Sequence, residues 1–207
     1  MKKKLVIIGA GGFSKSIIDS IDNQLIDLVG FIDTYKQGYH QGFPIIGNSI
    51  ADIKEPHNYI YFVGIGDPDI RHEFMSLLRK NNLKTINIID PTAIVSKYSV
   101  LGNCIYIGKM CIINSDSILE DGVVINTRSL IEHGNKIGYC SNISTNVVLN
   151  GDVTVGERTF VGSCTVVNGQ LNIGSQTIIG SGSVVIRNIQ DKVVVAGSPT
   201  RLIRELK

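Results

Sequence analysis

The sequence predicts a fold in two parts, a small parallel α/β sheet over residues 1–88 followed by a parallel β-solenoid over residues 89–187. Three observations support this prediction. Residues 4–80 alternate apolar strand patterns with amphipathic helix patterns. Every sixth residue from Val95 to Val185 is aliphatic. Pro91 ends the strand pattern of IIDPTA directly before this repeat, so the joint between the parts is short and we expect it to be rigid.

The first part repeats a strand, a turn and a helix. KLVIIGAGGFSKSIIDSI begins with an apolar strand, turns at Gly9 and continues with Ile17, Ile18 and Ile21 at helical spacing. A second strand, LVGFID, ends at Asp33. This order predicts about half of a Rossmann fold, which holds one mononucleotide and is too small for NAD.

A second helix is predicted in GDPDIRHEFMSLLRKN. Asp67 suits the N-cap and Pro68 suits the first helical position. The spacing of the apolar residues predicts a buried helix face formed by Ile70, Phe74, Leu77 and Leu78.

The first turn contains Gly9, Gly11 and Gly12, which would let a phosphate approach the backbone at a helix N-terminus. Ser14 stands in place of the third glycine of the dinucleotide fingerprint. The turn is therefore either a phosphate site or a tight strand-to-helix connection without a ligand.

The second part is defined by its six-residue repeat. Neither the helix period of 3.6 nor strict alternation produces this pattern, whereas a β-solenoid does, because each hexad supplies one short strand and one corner. The residue four positions after each aliphatic is usually small, as at Ser117, Ser129 and Thr165, and we expect it to share the interior. Three hexads make one triangular coil of eighteen residues, so residues 95–187 form about five coils.

The eighteen-residue period places His133 at a corner, two residues after the interior Ile131. The same corner column contains Ser115, His133, Gly151, Gly169 and Arg187. Glycine backbone next to a histidine forms a groove in which a thioester arm could lie, with its acyl carbon near His133 and its anionic phosphates near Arg187 and Lys192. The alternative is that glycine simply favours tight corners and that His133 is an ordinary surface residue.

Composition argues against several classes of function. The formal net charge of +2 is too small for a nucleic-acid surface. No apolar run approaches the length that crosses a bilayer, and LVII runs into GAGG without a cleavage site. The four cysteines form no CxxC pair, which argues against a thiolate zinc site and favours reduced thiols in the cytoplasm.

The hexads, the IEH segment and the ending GSGSVVIRNIQDKVVVAGSPTRLIREL resemble the left-handed β-helix acyltransferases. With GAGG and the GSP ending, the chain resembles the sugar acetyltransferases of the NeuD/PglD type. This resemblance implies a left-handed β-helix, acetyl-CoA as donor, no metal, and a homotrimer with active sites between subunits. It implies a cytoplasmic N-acetyltransferase that modifies a nucleotide-linked amino sugar, such as a 4-amino-4,6-dideoxy hexose, in bacterial glycan biosynthesis.

The resemblance also implies roles for particular residues. His133 corresponds to the general base, the backbone N–H of Gly151 to the oxyanion donor, and the main chain of Ser181 to a cofactor contact. The nucleotide of the sugar would contact Gly9, Gly11, Gly12, Asp33, Gly66 and Arg71.

The chain departs from this family at three positions. Gly134 replaces the carboxylate that often follows the base, Asn142 replaces a histidine often found near the acetyl group, and Phe13 stands where some relatives have histidine. Glu132 precedes the base but, as a strand neighbour, should point elsewhere. The base would then be oriented by a backbone carbonyl, by Asn126 or by a group from the next subunit.

The predicted reaction is direct acetyl transfer, in which the amine attacks the thioester while His133 removes a proton. An O-acetyltransferase acting on a sialic-acid-type sugar would use the same base.

A zinc enzyme of the γ-carbonic-anhydrase kind needs three imidazoles, and this solenoid has one. A structural β-solenoid would show flat ladders of Thr or Asn on one face, whereas the outward positions of these hexads are mixed. Cys140 and Cys164 lack a basic partner, which argues against a thiol nucleophile.

Residues 188–207 are expected to cap the solenoid, because a solenoid exposes its final coil unless something covers it. SPTRLIRELK is predicted to form a short helix in which Leu202, Ile203 and Leu206 cover the last coil.

Overall fold

The computed structural model describes residues 2–206, so Met1 and Lys207, at the ends of the predicted first part and tail, lie outside the described residues. The first part is a six-stranded sheet with the order β3-β4-β2-β1-β5-β6. Neighbouring strands are parallel except β3 and β4. Its elements are β1 (Lys3–Ile8), α1 (Gly12–Asp19), β2 (Ile26–Ile32), β3 (Tyr39–His40), β4 (Phe43–Gly47), two short 3-10 turns (Ile50–Asp52 and Pro56–Asn58), β5 (Ile60–Val63), α2 (Pro68–Lys80) and β6 (Lys84–Thr85).

Helix α2 begins where the sequence predicts, because the Asp67 carboxylate accepts hydrogen bonds from the N–H groups of Asp69 and Ile70, both at 3.0 Å. The predicted buried face is wrong in part. The buried residues are Arg71, Met75 and Leu78, whereas Ile70 and Leu77 are exposed. Compared with the prediction, the helix is rotated about its axis, because the Arg71 side chain donates to main-chain carbonyls of the second part. The spacing of apolar residues cannot reveal such acceptors.

The second part is a triangular prism of two-residue parallel strands, as the six-residue repeat predicts. Each strand pairs with the strand three further along the chain. Face 1 contains β7 (Ile88–Ile89), β10 (Tyr106–Ile107), β13 (Val124–Ile125), β16 (Asn142–Ile143), β19 (Phe160–Val161) and β22 (Ile178–Ile179), and it ends with β24 (Val193–Ala196) and β25 (Arg201–Glu205). Face 2 contains β8 (Ile94–Val95), β11 (Ile112–Ile113), β14 (Leu130–Ile131), β17 (Val148–Leu149), β20 (Val166–Val167) and β23 (Val184–Val185). Face 3 contains β9 (Val100–Leu101), β12 (Ile118–Leu119), β15 (Lys136–Ile137), β18 (Thr154–Val155) and β21 (Asn172–Ile173).

The interior of the prism matches the prediction. The second residue of each strand from β10 to β23 is buried in one apolar column. The small residues of the corners are buried beside it, and their hydroxyls donate to main-chain carbonyls of the following coil. Ser129 Oγ donates to the Ser144 carbonyl at 2.7 Å and Ser141 Oγ to the Gly156 carbonyl at 2.6 Å. These bonds pair polar groups that would otherwise be buried without partners.

The repeat shortens in the last coil. Val185 pairs with Val167, eighteen residues earlier, whereas Ile189 bridges Ile173, only sixteen residues earlier. Two residues are therefore missing from the corner that contains Arg187.

The predicted C-terminal helix is wrong. Residues Arg201–Glu205 form β25, which pairs antiparallel with β24 and extends face 1. Leu202 and Ile203 are exposed and do not cover the last coil. The physical reason is the free edge of β24, because its unpaired N–H and C=O groups gain partners from an extended tail and would gain none from a helix.

The two parts share one packed interface on face 1. Cys104, Tyr106, Val124 and Cys140 of the prism belong to the same buried cluster as the core of the sheet. A buried hydrogen bond from Ser20 Oγ to Asp90 Oδ2, at 2.7 Å, crosses the joint. The first part therefore covers the half of face 1 that is formed by the first coils of the prism. Within the described chain it leaves faces 2 and 3 uncovered.

Candidate functional site

A cleft of about 630 Å³ opens at the carboxyl ends of β1, β2 and β5. Ligands of open parallel α/β sheets bind at this edge, because the connecting loops and helix N-termini converge there. Five of the six residues expected to bind substrate line the cleft, namely Gly9, Gly11, Gly12, Asp33 and Gly66. We call this space the glycine cleft.

The N-terminus of α1 faces the glycine cleft without a side-chain cap. Gly11 is the N-cap residue and supplies no capping side chain. A Cβ built on Gly11 or Gly12 would meet nothing within 4 Å, so open space lies in front of both residues. The first N–H groups of a helix lack intrahelical partners and carry partial positive charge. This end of α1 can therefore accept an anionic group such as a phosphate.

Asp33 ties the two loops of the glycine cleft together. Its Oδ2 accepts a hydrogen bond from the Ala10 N–H at 2.8 Å, and its Oδ1 accepts from the N–H groups of Tyr35 and Lys36 at 3.0 and 2.9 Å. Burial works to raise the pKa of Asp33, but these hydrogen bonds and the Lys36 charge outweigh it and hold the pKa below its ordinary value. Asp33 is therefore an ionised carboxylate that fixes the glycine turn.

Phe13 forms one wall of the glycine cleft, and its ring lies edge-on to the Tyr106 ring of the prism with centroids 5.1 Å apart. An aromatic pair of this geometry stabilises the contact between α1 and face 1. Phe13 is thus both a cleft residue and part of the joint.

Arg71, the sixth residue expected to bind substrate, does not line the glycine cleft. Its side chain is fully buried, and its guanidinium donates to the carbonyls of Ile65 and Gly122 at 2.7 and 2.8 Å and of Cys140 at 2.7 Å, with a longer bond to Gly66. Burial lowers the pKa of the guanidinium, which nonetheless stays charged at neutral pH. Arg71 therefore connects the cleft loop to the prism and touches the cleft only through that loop.

The second candidate region is the corner between faces 2 and 3, which contains His133. The pairing of Leu130–Ile131 with Val148–Leu149, and of these with Val166–Val167, stacks His133, Gly151 and Gly169 in successive coils as predicted. A Cβ built on Gly151 would lie 2.6 Å from Cε1 and 2.7 Å from Nε2 of His133. The imidazole therefore lies over Gly151 in space that only glycine leaves open, and its side chain is 62% exposed.

The main chain beside His133 offers a free donor. No acceptor within residues 2–206 takes a hydrogen bond from the Gly151 N–H, whereas the neighbouring Asp152 N–H donates to the His133 carbonyl at 2.9 Å. A Cβ on Gly169 would lie 2.9 Å from the Gly151 carbonyl oxygen, so the strip above the imidazole is also bare backbone. A base, a free N–H and a narrow uncovered strip therefore lie together.

One residue near His133 was not predicted. Asp152 Oδ1 lies 3.9 Å from His133 Nδ1, and the two side chains are 55% and 62% exposed. The eighteen-residue period places Asp152 directly above Gly134, so the repeat could have revealed it.

Four other predicted residues lie away from the His133 corner. Asn126 and Ser181 follow face 1 strands and lie at the corner between faces 1 and 2, and Asn142 is within face 1. Lys192 lies at the corner between faces 3 and 1, where its N–H donates to the Ser175 carbonyl at 2.9 Å. Arg187 and Lys192 are therefore at different corners, and Arg187 lines a separate cavity of about 480 Å³ at the end of the prism.

The buried thiols are not poised as nucleophiles. Burial raises the pKa of Cys104 to about 12 and the pKa of Cys111 and Cys140 to about 11. Within residues 2–206, no group of three or more His, Cys, Asp or Glu side chains is arranged to hold a metal ion. Over the same range, no helix has the length and hydrophobicity to cross a bilayer.

The glycine cleft and the His133 corner lie on opposite sides of one chain. The first part packs on face 1, and His133 lies at the corner opposite that face. The prism therefore separates the candidate base from the cleft within a single chain.

A triangular parallel β-helix with one exposed corner histidine over a glycine strip, joined to an α/β sheet with a glycine cleft, defines a left-handed β-helix acyltransferase. The family described as PglD N-terminal domain matches residues 4–78. The acetyltransferase domain of PglB from Neisseria gonorrhoeae FA1090, solved in complex with acetyl coenzyme A, superimposes with a TM-score of 0.93 and 27% identity over 98% of this chain and 100% of that chain. PerB from Caulobacter crescentus, solved in complex with CoA and GDP-perosamine, superimposes with a TM-score of 0.90 and 31% identity over 96% of each chain.

This chain belongs to the family of left-handed β-helix sugar acetyltransferases with a PglD-type N-terminal domain. It is also 34% identical over 116 residues to an uncharacterized protein, L142, of Acanthamoeba polyphaga mimivirus. That match covers 56% of this chain and only 23% of the length of the viral protein.

Proposed function

We propose that this chain is an acetyl-CoA-dependent N-acetyltransferase that acts on the amino group of a nucleotide-linked amino sugar, such as a 4-amino-4,6-dideoxy hexose. The observation that carries the proposal is the His133 imidazole lying over Gly151 beside a free main-chain N–H. The glycine cleft supports a nucleotide diphosphate as the anchoring group. A Caulobacter crescentus relative, 30% identical over 98% of this chain, is a perosamine N-acetyltransferase solved with CoA and GDP-perosamine.

The proposed reaction is a direct acyl transfer. The sugar amine attacks the thioester carbonyl, a C–N bond forms, and His133 Nε2 takes the proton from the amine. The C–S bond then breaks, and the departing CoA thiolate takes that proton from the imidazolium to leave as the thiol. General-base assistance of this kind contributes about 10²–10⁴-fold. The Gly151 N–H would donate to the oxyanion of the tetrahedral intermediate, a role worth about 3–4 kcal/mol at comparable sites.

The proposal includes a homotrimer, because one chain separates its base from its cleft. The outward residues of face 2 are aliphatic in every coil, whereas those of face 3 turn polar at Lys136, Thr154 and Asn172. The uninterrupted apolar strip of face 2 comprises Ile94, Ile112, Leu130, Val148, Val166 and Val184. Ile94 is exposed and the other five residues are half-buried, and a continuous, partly exposed apolar strip of this kind fits a subunit interface. A neighbour packed there would approach the His133 corner, and acetyl-CoA would lie between the two subunits.

We predict that Val148→Glu, in the middle of face 2, breaks the trimer. A carboxylate buried in an apolar interface costs several kcal/mol, so the association constant should fall more than about 100-fold. Sedimentation velocity near 10 µM protein measures the shift to monomer. Thr154→Glu, at the same level on face 3, is the matched control and should remain trimeric. An unchanged oligomer for Val148→Glu would place the interface elsewhere.

Acetyl transfer should be tested directly. Thiol release from acetyl-CoA is followed with UDP-, dTDP- and GDP-linked 4-amino sugars, and NMR of the product locates the new acetyl group. Release with an amino sugar, and not with the matching hydroxyl sugar or a free sialic acid, supports the proposal. Acetylation of a hydroxyl instead would establish an O-acetyltransferase, and no release with any acceptor would contradict the proposed function.

We predict that Gly151→Ala lowers kcat at least about tenfold. The new methyl group would lie within 2.7 Å of His133 Nε2, so the imidazole must leave its position. Initial rates of thiol release give kcat, and the thermal midpoint reports the fold. Full activity in a folded Gly151→Ala variant would mean that catalysis does not require the imidazole to lie over Gly151.

We propose a cytoplasmic location, which suits the acetyl donor and the proposed nucleotide-linked acceptor. Four free thiols fit a reducing compartment.

A further inference from the structure

We propose that Asp152 is the positioning residue for His133. Its carboxylate would accept the Nδ1–H of the imidazole and leave Nε2 unprotonated to take the proton from the substrate amine. This assignment rests on the proposed function, in which His133 is the base, and it supplies the orienting group that Gly134 does not.

The geometry begins with the main chain. The Asp152 N–H donates to the His133 carbonyl at 2.9 Å, so the backbones of the two residues are joined across adjacent coils. Asp152 Oδ1 is 3.9 Å from Nδ1, which is the ion-pair range and just beyond a hydrogen bond. Both side chains are more than half exposed, so a small rotation of either closes the gap.

Gly134 makes room for this carboxylate. A Cβ built on Gly134 would overlap Asp152 Oδ1. Gly134 also has a φ of +69°, but Asp116 and Asp152 adopt φ of +61° at the same corner position, so the backbone alone does not demand glycine there. A side chain at position 134 and the Asp152 carboxylate in its present place exclude each other. The missing side chain after the base is thus matched by a carboxylate one coil further on.

The other candidate orienting groups are engaged elsewhere. Glu132 Oε2 accepts a hydrogen bond from Asn114 Nδ2 at 3.0 Å, which turns it away from the imidazole. Asn126 Oδ1 accepts from the Thr127 N–H at 2.8 Å. Asp116 occupies the equivalent corner position one coil before Gly134 and forms no ion pair with His133, whose one acidic partner within 4 Å in the described chain is Asp152.

The chemical role follows from the two ring nitrogens. The imidazole can accept a proton at Nε2 only in the tautomer that carries hydrogen at Nδ1, and a carboxylate at Nδ1 selects that tautomer. The same carboxylate stabilises the imidazolium that forms when the amine loses its proton. Asp152 touches no reacting atom and acts through His133.

The experiment measures kcat and KM for Asp152→Ala, Asp152→Asn and Asp152→Glu in the full chain. We expect Asp152→Ala to lower kcat about tenfold, a part of the 10²–10⁴-fold due to the base, with KM for both substrates within about twofold of wild type. Asp152→Glu keeps the carboxylate and should recover most of the loss. Asp116→Ala is the matched control and should match wild type. Asn suits positive φ, so Asp152→Asn keeps the fold if the alanine variant does not.

Two measurements distinguish a positioning role of Asp152 from a purely structural role. Asp152→Ala added to His133→Ala should lower kcat by less than about twofold, because Asp152 acts through the imidazole. Long-range ¹H–¹⁵N NMR of the histidines should show the Nδ1–H tautomer for His133 in wild type and its loss in Asp152→Ala. His40, His57 and His72 should stay unchanged.

The outcomes distinguish this proposal from the proposed function. If His133→Ala is impaired while Asp152→Ala is as active as wild type, the positioning role fails and the function stands. If wild type transfers no acetyl group to any acceptor, the function fails, and the NMR tautomer still tests the Asp152–His133 pair. An unchanged His133 tautomer in Asp152→Ala overturns the proposal in either case.

Discussion

His133→Ala should lower kcat/KM for acetyl transfer about 10²–10⁴-fold while leaving the fold intact. The imidazole is mostly exposed at a corner, where it lies over Gly151, so its removal leaves no buried cavity. The loss comes from the transition state, because the attacking amine then has no positioned group to take its proton. Thiol release gives the rate, and circular dichroism with a thermal midpoint checks the fold.

The control for this substitution is His57→Ala. His57 is also exposed, but it lies on the 3-10 turn Pro56–Asn58, which precedes β5. This turn is at the edge of the sheet opposite the glycine cleft. Its activity should match wild type. A loss of under tenfold for His133→Ala would remove the base assignment, and the Gly151 and Asp152 roles that depend on it would fall too.

The prism could be predicted from the sequence because its register is local. Each hexad repeats one strand and one corner, and the period stacks residues eighteen apart, so Ile131, His133 and Gly151 are placed by counting. The counting fails where the repeat loses two residues, between Val185 and Ile189. Lys192 lies beyond this short corner, almost one hexad after Arg187, and is therefore at the next corner although the two residues are close in sequence.

The tail and the joint could not be predicted because they depend on long-range partners. The residues of β25 carry no pattern that separates a short helix from a strand, and the free edge of β24 decides between them. The buried face of α2 is likewise set by carbonyls of Gly122 and Cys140, which lie far along the chain. The family resemblance implied a substrate contact for Arg71. An arginine in a helix ordinarily lies on the solvent face, so no pattern in the sequence indicated that this one is buried.

The glycine cleft was predictable in outline but not in detail. Gly9, Gly11 and Asp33 follow strands whose carboxyl ends meet at one edge of a parallel sheet, so their convergence follows from topology. The role of Asp33 as an acceptor for the Ala10 N–H depends on how the two loops meet in space. No local pattern contains that contact.

Arg71→Met should lower the free energy of unfolding by about 3–5 kcal/mol, because it leaves buried carbonyls without donors. Charge-assisted bonds from the guanidinium reach Gly122 and Cys140 on the prism and Ile65 on the cleft loop. Methionine fills a similar volume but donates nothing. Urea unfolding of the full chain, followed by circular dichroism, gives the free energy.

Arg79→Ala is the matched comparison, because Arg79 bridges the same two parts through an ion pair with Asp121 at 3.3 Å. Its side chain is 68% exposed, so water screens the pair and its removal should cost less than about 1 kcal/mol. If Arg71→Met is as stable as wild type but binds nucleotide more weakly, Arg71 is a substrate-binding residue, as the family resemblance implied. Loss of stability for Arg71→Met alone means that the joint depends on the buried arginine, and that the cleft loop is held in place from the prism side.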